Sequence, residues 1–155
     1  MQSVNQFGMN TEKGVVAMKM ETGTFSVQID ATEAAELVPG QAVKLVDSAG
    51  GIPKVVKVAA DTDEVFGFIN YNKRQAKFKA GDVCEISGMR GNVMWMQAAS
   101  AVARGAKVMV VVAGNKVDDA AAGAKTIIGW AFDKATAADQ LIRVVIDLPG
   151  DKTAP

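Results

Sequence analysis

The chain has 155 residues, of which 49% are hydrophobic but only 6% aromatic, so its core must consist mainly of small and branched side chains. Seventeen basic residues balance seventeen acidic ones, and no basic run stands out, which excludes the electrostatic surface typical of nucleic-acid binders. One cysteine and no histidine exclude an internal disulfide, a multi-cysteine metal site and the commonest general base.

The first ten residues, MQSVNQFGMN, have neither a basic region nor an apolar one, so they do not predict a signal peptide. Apolar stretches stay well below the roughly 20 residues that a membrane-spanning helix needs. We therefore expect a protein made in the cytoplasm, with no membrane or nucleic acid as partner. We divide it into an N-terminal arm (1–12), a single all-β domain (13–149) and a C-terminal tail (150–155).

Hydrophobic residues recur with a period of two along most of the chain. Residues 24–30, TFSVQID, alternate without a break, which is typical of a strand with one exposed face. Further strands are predicted at 15–20, 42–46, 54–58, 65–71, 82–86, 92–98, 107–113, 126–132 and 141–148. Turn signals separate these runs, among them Pro39-Gly40 and Gly114-Asn115. The pattern predicts an all-β fold, a compact barrel or sandwich, with at most one or two short helices at 32–37 and 97–102.

A similar pattern occurs twice. Gly40 and Gly105 lie 65 residues apart, and each is followed three residues later by a valine that begins an apolar run. Gly67 and Gly129, inside later strands, lie 62 residues apart. We interpret residues 37–88 and 102–148 as two similar β-units, with chance similarity between small β-chains as the alternative. The first glycine pair predicts turns with positive φ, and the second predicts bulges or close backbone approach.

Two strands have apolar residues on both faces. They contain Val93-Met94-Trp95-Met96 and Val108-Met109-Val110-Val111-Val112. Such strands must be covered on both sides. The second cover is either another copy of the chain, or the segment 97–102 or the N-terminal arm.

No catalytic arrangement is evident in the sequence. Cys84 has no histidine to act as its base, and Gly123-Ala124-Lys125-Thr126 departs from a phosphate-binding loop. The acidic groups Asp61-Thr62-Asp63-Glu64 and Asp118-Asp119 are interpreted as solvated turns, with calcium binding as the less favoured alternative, because no twelve-residue calcium loop follows. We expect no enzyme activity, no metal and no cofactor.

Five segments carry a resemblance to a known family. They are Phe7-Gly8-Met9-Asn10 with Gly14–Met18, then Leu37–Leu45, and Phe66–Asn72 with Ala80–Val83. With these turn-and-strand motifs the chain resembles the structural cement, or capsid decoration, proteins of tailed bacteriophages, from about Phe7 to Leu148. The chain lacks any evident immunoglobulin-like or carbohydrate-binding module of the kind appended to some decoration proteins.

The resemblance implies an all-β protein, commonly a homotrimer, on the outer surface of the phage capsid, where it clamps neighbouring subunits of the major capsid protein. We expect the polar arm to contact the capsid protein or a neighbouring subunit by adding an extended segment to an exposed sheet edge. The residues expected at the capsid are Gln2, Val4, Gln6, Phe7, Met9 and Asn10. From the two-faced strands we expect Met94, Met96, Met109 and Val111 at subunit interfaces.

Two other functions stay open from the sequence. A tail-tube or baseplate protein would have the same β-rich composition and would form stacked rings. A small-molecule-binding β-barrel would have a discrete pocket lined by Trp95 or Trp130.

Overall fold

The computed structural model describes Lys13 and residues 16–18, 24–47, 49–88, 90–120 and 126–148. Within these ranges the chain forms strands and turns, and none of the described residues is helical. The all-β prediction is confirmed. The strands, in chain order, are β1 (Val16–Met18), β2 (Thr24–Ile29), β3 (Ala42–Val46), β4 (Lys54–Lys57), β5 (Gly67–Ile69), β6 (Val83–Ser87), β7 (Val93–Gln97), β8 (Lys107–Val111), β9 (Lys116–Asp119), β10 (Ile127–Ala131) and β11 (Leu141–Ile146).

Strands β2 to β6 form the first unit, a closed barrel with the order β2-β4-β3-β5-β6. Only β2 and β4 pair in parallel; the other neighbours are antiparallel, and β2 pairs with β6 to close the barrel. Alternate residues point inward, as the period-two pattern requires. The interior is a hydrophobic cluster drawn from this unit alone, containing Val27, Ile29, Leu37, Val43, Val55, Ile69, Phe78, Cys84 and Ile86.

Strands β7 to β11 form the second unit. They belong to a six-stranded sheet with the order β1-β7-β11-β10-β8-β9. A parallel bridge between Ala98 and Val117 joins the end of β7 to β9, so the sheet curls back towards itself. Its inner face carries, among others, Met94, Met96, Val108, Val110, Ile128, Ile142, Val144 and Ile146.

The two units have the same topology. Each first-unit strand corresponds to the strand five positions later, and the neighbours of β2 to β6 are then the neighbours of β7 to β11. Paired residues correspond as well: Val43 lies opposite Gly67, and Val108 lies opposite Gly129. The prediction of two similar β-units is confirmed, and β2 and β7 extend them beyond residues 37–88 and 102–148. Their origin by duplication stays a prediction.

The paired glycines have the predicted backbone roles. Gly40 and Gly105 have φ of 79° and 81°, in the left-handed region that glycine enters at least cost. A Cβ at Gly129 would collide with the carbonyl oxygen of Val145, and the register of β10 against β8 shifts there. A Cβ at Gly67 would lie 3.0 Å from the carbonyl oxygen of Ser87. The strand glycines therefore permit close backbone approach.

The two segments predicted as short helices are not helical. Residues 32–37 lie between β2 and β3, and residues 97–102 run from the last residue of β7 towards β8. Both segments end in an isolated bridge. Leu37 exchanges two backbone hydrogen bonds with Phe78, of 2.7 and 2.9 Å, and Val102 does the same with Ala135 at 3.0 and 2.8 Å. Their backbone groups are satisfied across the unit, which removes the need for a helix.

The first unit packs against one end of the second. Ala42, Val58, Val65 and Phe68, here called the docking face, belong to the same hydrophobic cluster as the inner face of the second unit. Hydrogen bonds reinforce this junction: Asp61 accepts one from the Val112 amide at 3.0 Å, and the Thr126 hydroxyl donates one to the Asp63 carbonyl at 3.0 Å. The core of the second unit is thus completed by side chains of the first.

We expect Gly129→Ala to destabilise the fold by about 3 kcal/mol or more, because it combines backbone strain with overpacking against β11. Gly105→Ala is the matched control. It has open space for a Cβ and only the strained φ, so it should cost about 1–2 kcal/mol. Urea unfolding monitored by tryptophan fluorescence measures both. Equal losses would contradict the close approach at Gly129.

Candidate assembly surfaces

An aromatic and arginine cluster covers part of the outer face of the second unit. The Arg143 guanidinium lies 5.6 Å from the ring centroid of Trp95 and 4.6 Å from that of Phe132. Asp133 binds the same guanidinium with two hydrogen bonds of 2.7 Å, from Nε and from Nη2. Strand pairing places Arg143 directly opposite Trp95, so β7 and β11 fix the stack. The arrangement combines a charge-assisted pair with cation–π contacts.

The cluster holds Trp130 in place beside it. The Trp130 ring stacks on Phe132 with 6.1 Å between centroids and 30° between planes, and 41% of the residue is exposed. The Arg143 hydrogen bonds lower the pKa of Asp133, and Asp133 raises the pKa of Arg143. Both groups are therefore charged at neutral pH and cancel each other. The result is an exposed tryptophan beside a neutral ion pair, with the exposed cations Arg104 and Lys107 next to it.

An apolar cavity of about 510 Å³ opens at one end of the first barrel. Phe25 and Phe66 meet edge to face at its wall, 5.2 Å between centroids, and Leu45 at its mouth is 51% exposed. An ion pair of 2.9 Å between Lys44 and Asp63 lies at the rim and lowers the pKa of Asp63. The full lining among described residues is Phe25, Lys44, Leu45, Glu64, Val65, Phe66, Gly88 and Leu148.

A second, more polar cavity of about 380 Å³ lies on the outer side of β2 and β6. Ser26 and Glu85 line it and face each other across the two strands. In the second unit the corresponding pair is Trp95 and Arg143. The same site on the two units is therefore an open polar cleft on one and a filled aromatic stack on the other.

The residues expected at subunit interfaces are mostly buried within the chain. Met94 and Met96 lie in the core of the second unit, with 0% and 2% of their surface exposed, and Met109 is 5% exposed. Val111 is half-buried at the end of β8. The expectation took a second copy of the chain as the simplest cover for these strands. The docking face of the first unit instead covers one end of them within the same chain. Their place at a subunit interface stays a prediction.

The residues expected to contact the capsid lie outside the described part of the chain. They are Gln2, Val4, Gln6, Phe7, Met9 and Asn10. Lys13, just after them, donates a hydrogen bond of 3.2 Å to the Gly114 carbonyl, and β1 pairs with β7. The start of the described chain therefore lies against the second unit.

The acidic turn has a role that sequence reasoning missed. The Asp63 carboxylate accepts hydrogen bonds from the amides of Ala59 and Ala60, at 2.8 and 3.1 Å, and from Lys44. Together with the Asp61 contact to Val112, these bonds shape the loop between β4 and β5, which contacts the second unit. The spacing of the carboxylates gave no signal of the junction, since Val112, the partner of Asp61, is distant in sequence.

Cys84 lies in the lining of the second cavity. Burial raises the pKa of the Cys84 thiol to about 11, so the thiol stays protonated at neutral pH. Among the described residues no group of three or more potential ligands is placed to hold a metal ion. Neither tryptophan lines any of the three cavities described for this part of the chain. The described residues also contain no helix with the length and hydrophobicity to cross a membrane.

Two β-units with an exposed aromatic surface and an open apolar end are typical of a structural protein that binds other proteins. The family described as structural cement protein (E217 gp24/Pam3 gp6) matches residues 4–147 of the chain. The chain belongs to this family.

A search of curated proteins found no match. Among solved structures, the fold is similar to the N base of the head fibre gp8.5 of bacteriophage phi29, with a TM-score of 0.54 and 13% sequence identity. The similarity covers 80% of this chain and 92% of the other. At this level of identity the comparison supports the fold.

We expect Asp133→Asn to lower the free energy of unfolding by about 1–2 kcal/mol at neutral pH, because it weakens the bonds that hold Arg143 between two rings. The pKa of Asp133 is lowered by folding, so its contribution is present above its ordinary value of 3.8 and is lost as the pH falls through the lowered pKa. The deficit of the variant should therefore shrink between pH 7 and pH 3.

Glu36→Gln is the control for this measurement, because the Glu36–Lys77 pair is mostly exposed. It should change stability by at most about 0.5 kcal/mol. Thermal unfolding at both pH values measures the two variants. A deficit of Asp133→Asn that is independent of pH would contradict the role of its charge.

Proposed function

We propose that this structural cement protein, which has a capsid decoration role, acts as a homotrimer on the exterior of a tailed-phage head, at threefold or quasi-threefold positions, and clamps neighbouring subunits of the major capsid protein. The family match over residues 4–147 carries this proposal. It supports a capsid as the class of partner and a mechanical role without a catalysed reaction. The protein would be made in the host cytoplasm and end on the outer surface of the virion.

Physical features of the chain support the proposal. A net charge of zero does little to oppose self-association. Exposed large apolar residues, Leu45 and Trp130 among them, are available for contacts between proteins. Three linked copies would bind a lattice by avidity, since each further contact forms at a high effective concentration. The phage phi29 protein with a similar fold is, by its name, the base of a head fibre.

Cosedimentation with undecorated heads tests the capsid role, and light scattering of the purified protein tests the trimer. We expect saturable binding to heads, and a solution mass three times the 16.2 kDa of one chain. A protein that forms stacked rings and ignores heads would instead favour the tail-tube or baseplate alternative. A protein that is monomeric both in solution and on the particle would contradict the trimer.

We further propose that the N-terminal arm contacts the capsid or a neighbouring subunit. Deleting residues 1–10 should leave the fold intact, because the strands of both units begin later in the chain. Binding to heads should weaken by at least about tenfold if the arm supplies around 1.4 kcal/mol of the binding free energy. Circular dichroism is the control for folding. Undiminished cosedimentation of the folded, shortened protein would count against the arm.

A further inference from the structure

The docking face of the first unit covers one end of the second unit. The corresponding end of the first unit has no such cover among the described residues. At the covered end, Met94, Val110 and Ile128 are buried, with 0%, 3% and 0% of their surfaces exposed. They share a hydrophobic cluster with Ala42 and Phe68 of the docking face. One unit thus closes the end of the next.

The apolar cavity lies at the corresponding end of the first unit. Because the two units share strand order and register, Phe25 corresponds to Met94, and Leu45 corresponds to Val110. Phe66 precedes Gly67 as Ile128 precedes Gly129. Yet Leu45 is 51% exposed, and Phe25 and Phe66 are only partly buried. Among the described residues, the end that is filled in the second unit is an opening of about 510 Å³ in the first, bordered on one side by Val65 of the docking face and Leu148 of the second unit.

The second unit also has a counterpart of the docking face. Ala42 pairs with Phe68, and at the same place in the second unit Lys107 pairs with Trp130. Phe68 is 1% exposed, whereas Trp130 is 41% exposed. Lys107 is exposed as well. A face that packs against a neighbouring unit in one half of the chain therefore faces outward in the other half.

We propose that the Trp130 face of one copy docks into the open end of the first unit of a second copy, repeating between chains the contact made within each chain. The contact is head-to-tail: every copy offers one face and one open end. Head-to-tail contacts generate closed rings when the rotation between copies closes. That the ring holds three copies, and hence six units, rests on the proposed function.

One pair of opposite charges meets in this arrangement. Within the chain, Ala42 lies at a narrow crevice that Val110 and Val112 also line. The counterparts of these residues are Lys107 on one copy, and Leu45 and Asp47 on the other. Asp47 is exposed at the edge of the open end, just after β3. Lys107 thus approaches Asp47 at the place where the internal contact has Ala42 and Val112.

Trp130 has the properties of an interface anchor. Its ring is held by Phe132, which is itself held by Arg143, so little side-chain freedom is lost when it is buried. Tryptophans in desolvated pockets are among the residues whose removal weakens interfaces most. The lining of the opening by Phe25, Leu45 and Phe66 supplies the apolar surroundings that such a ring requires.

Two charged substitutions test the contact from its two sides. We expect Trp130→Glu and Leu45→Glu each to weaken self-association by at least about 30-fold. Val83→Glu is the matched control, because Val83 is 50% exposed and begins β6, whereas the open end is lined by Gly88 beyond the other end of that strand. Sedimentation velocity measures association, and circular dichroism checks folding. An assembly whose mass is unchanged by either test variant would overturn the docking.

Mixing the variants tests the pairing itself. Trp130→Glu chains keep an intact open end, and Leu45→Glu chains keep an intact Trp130 face. We expect each variant alone to be monomeric, and an equimolar mixture, on the order of 100 µM, to contain pairs of one chain of each kind. A mixture that stays monomeric would overturn the head-to-tail contact.

The mass of the wild-type protein separates this inference from the proposed trimer. A closed assembly of another size, disrupted by both test variants, would support the contact and contradict the trimer. A trimer that both variants leave intact would support the proposed oligomer and overturn the contact. A wild-type monomer at the same concentration would contradict both.

Discussion

The structure depends on the burial of one face of the first unit against the end of the second. The first barrel has a hydrophobic cluster built from its own strands, but the cluster of the second unit includes Ala42, Val58, Val65 and Phe68 from the first. Apolar burial of this kind is the dominant favourable contribution to folding. The loop with Asp61 and Asp63 locks the same junction with hydrogen bonds to Val112 and Thr126. The two units share a topology, but only the first has a hydrophobic cluster made of its own residues alone.

This inequality explains how two similar halves acquire different surfaces. Phe68 and Trp130 occupy the same place in their units, and both are large and aromatic, yet one is buried and the other is exposed. Ser26 and Glu85 line a polar cleft where Trp95 and Arg143 form a stack. The shared backbone fixes where side chains lie, and their chemistry then differs according to what each face meets.

The sequence reveals the fold class and the repeat well, because both depend on local patterns. The period of two predicts strands, and Gly40 and Gly105 reveal the repeat because a left-handed turn requires glycine. The two segments wrongly predicted as helices, 32–37 and 97–102, lie at corresponding places in the two units. Both contain alanines, which favour a helix in sequence, but both run to a bridge with a distant residue. Burial is harder to predict: nothing near Phe68 or Trp130 in sequence distinguishes the buried ring from the exposed one. The cover of Met94 comes from residues distant in sequence, so its apolar surroundings suggested a second copy instead.

The closed barrel of the first unit also bears on how the chain folds during synthesis. Domains near the N-terminus leave the ribosome first and can fold before the rest is made. The first unit has a complete hydrophobic cluster before any residue of the second unit exists, and its docking face is then already in place. The second unit, whose core needs that face, can fold onto a finished template. The order of the two units along the chain therefore lets the self-sufficient half guide the dependent one.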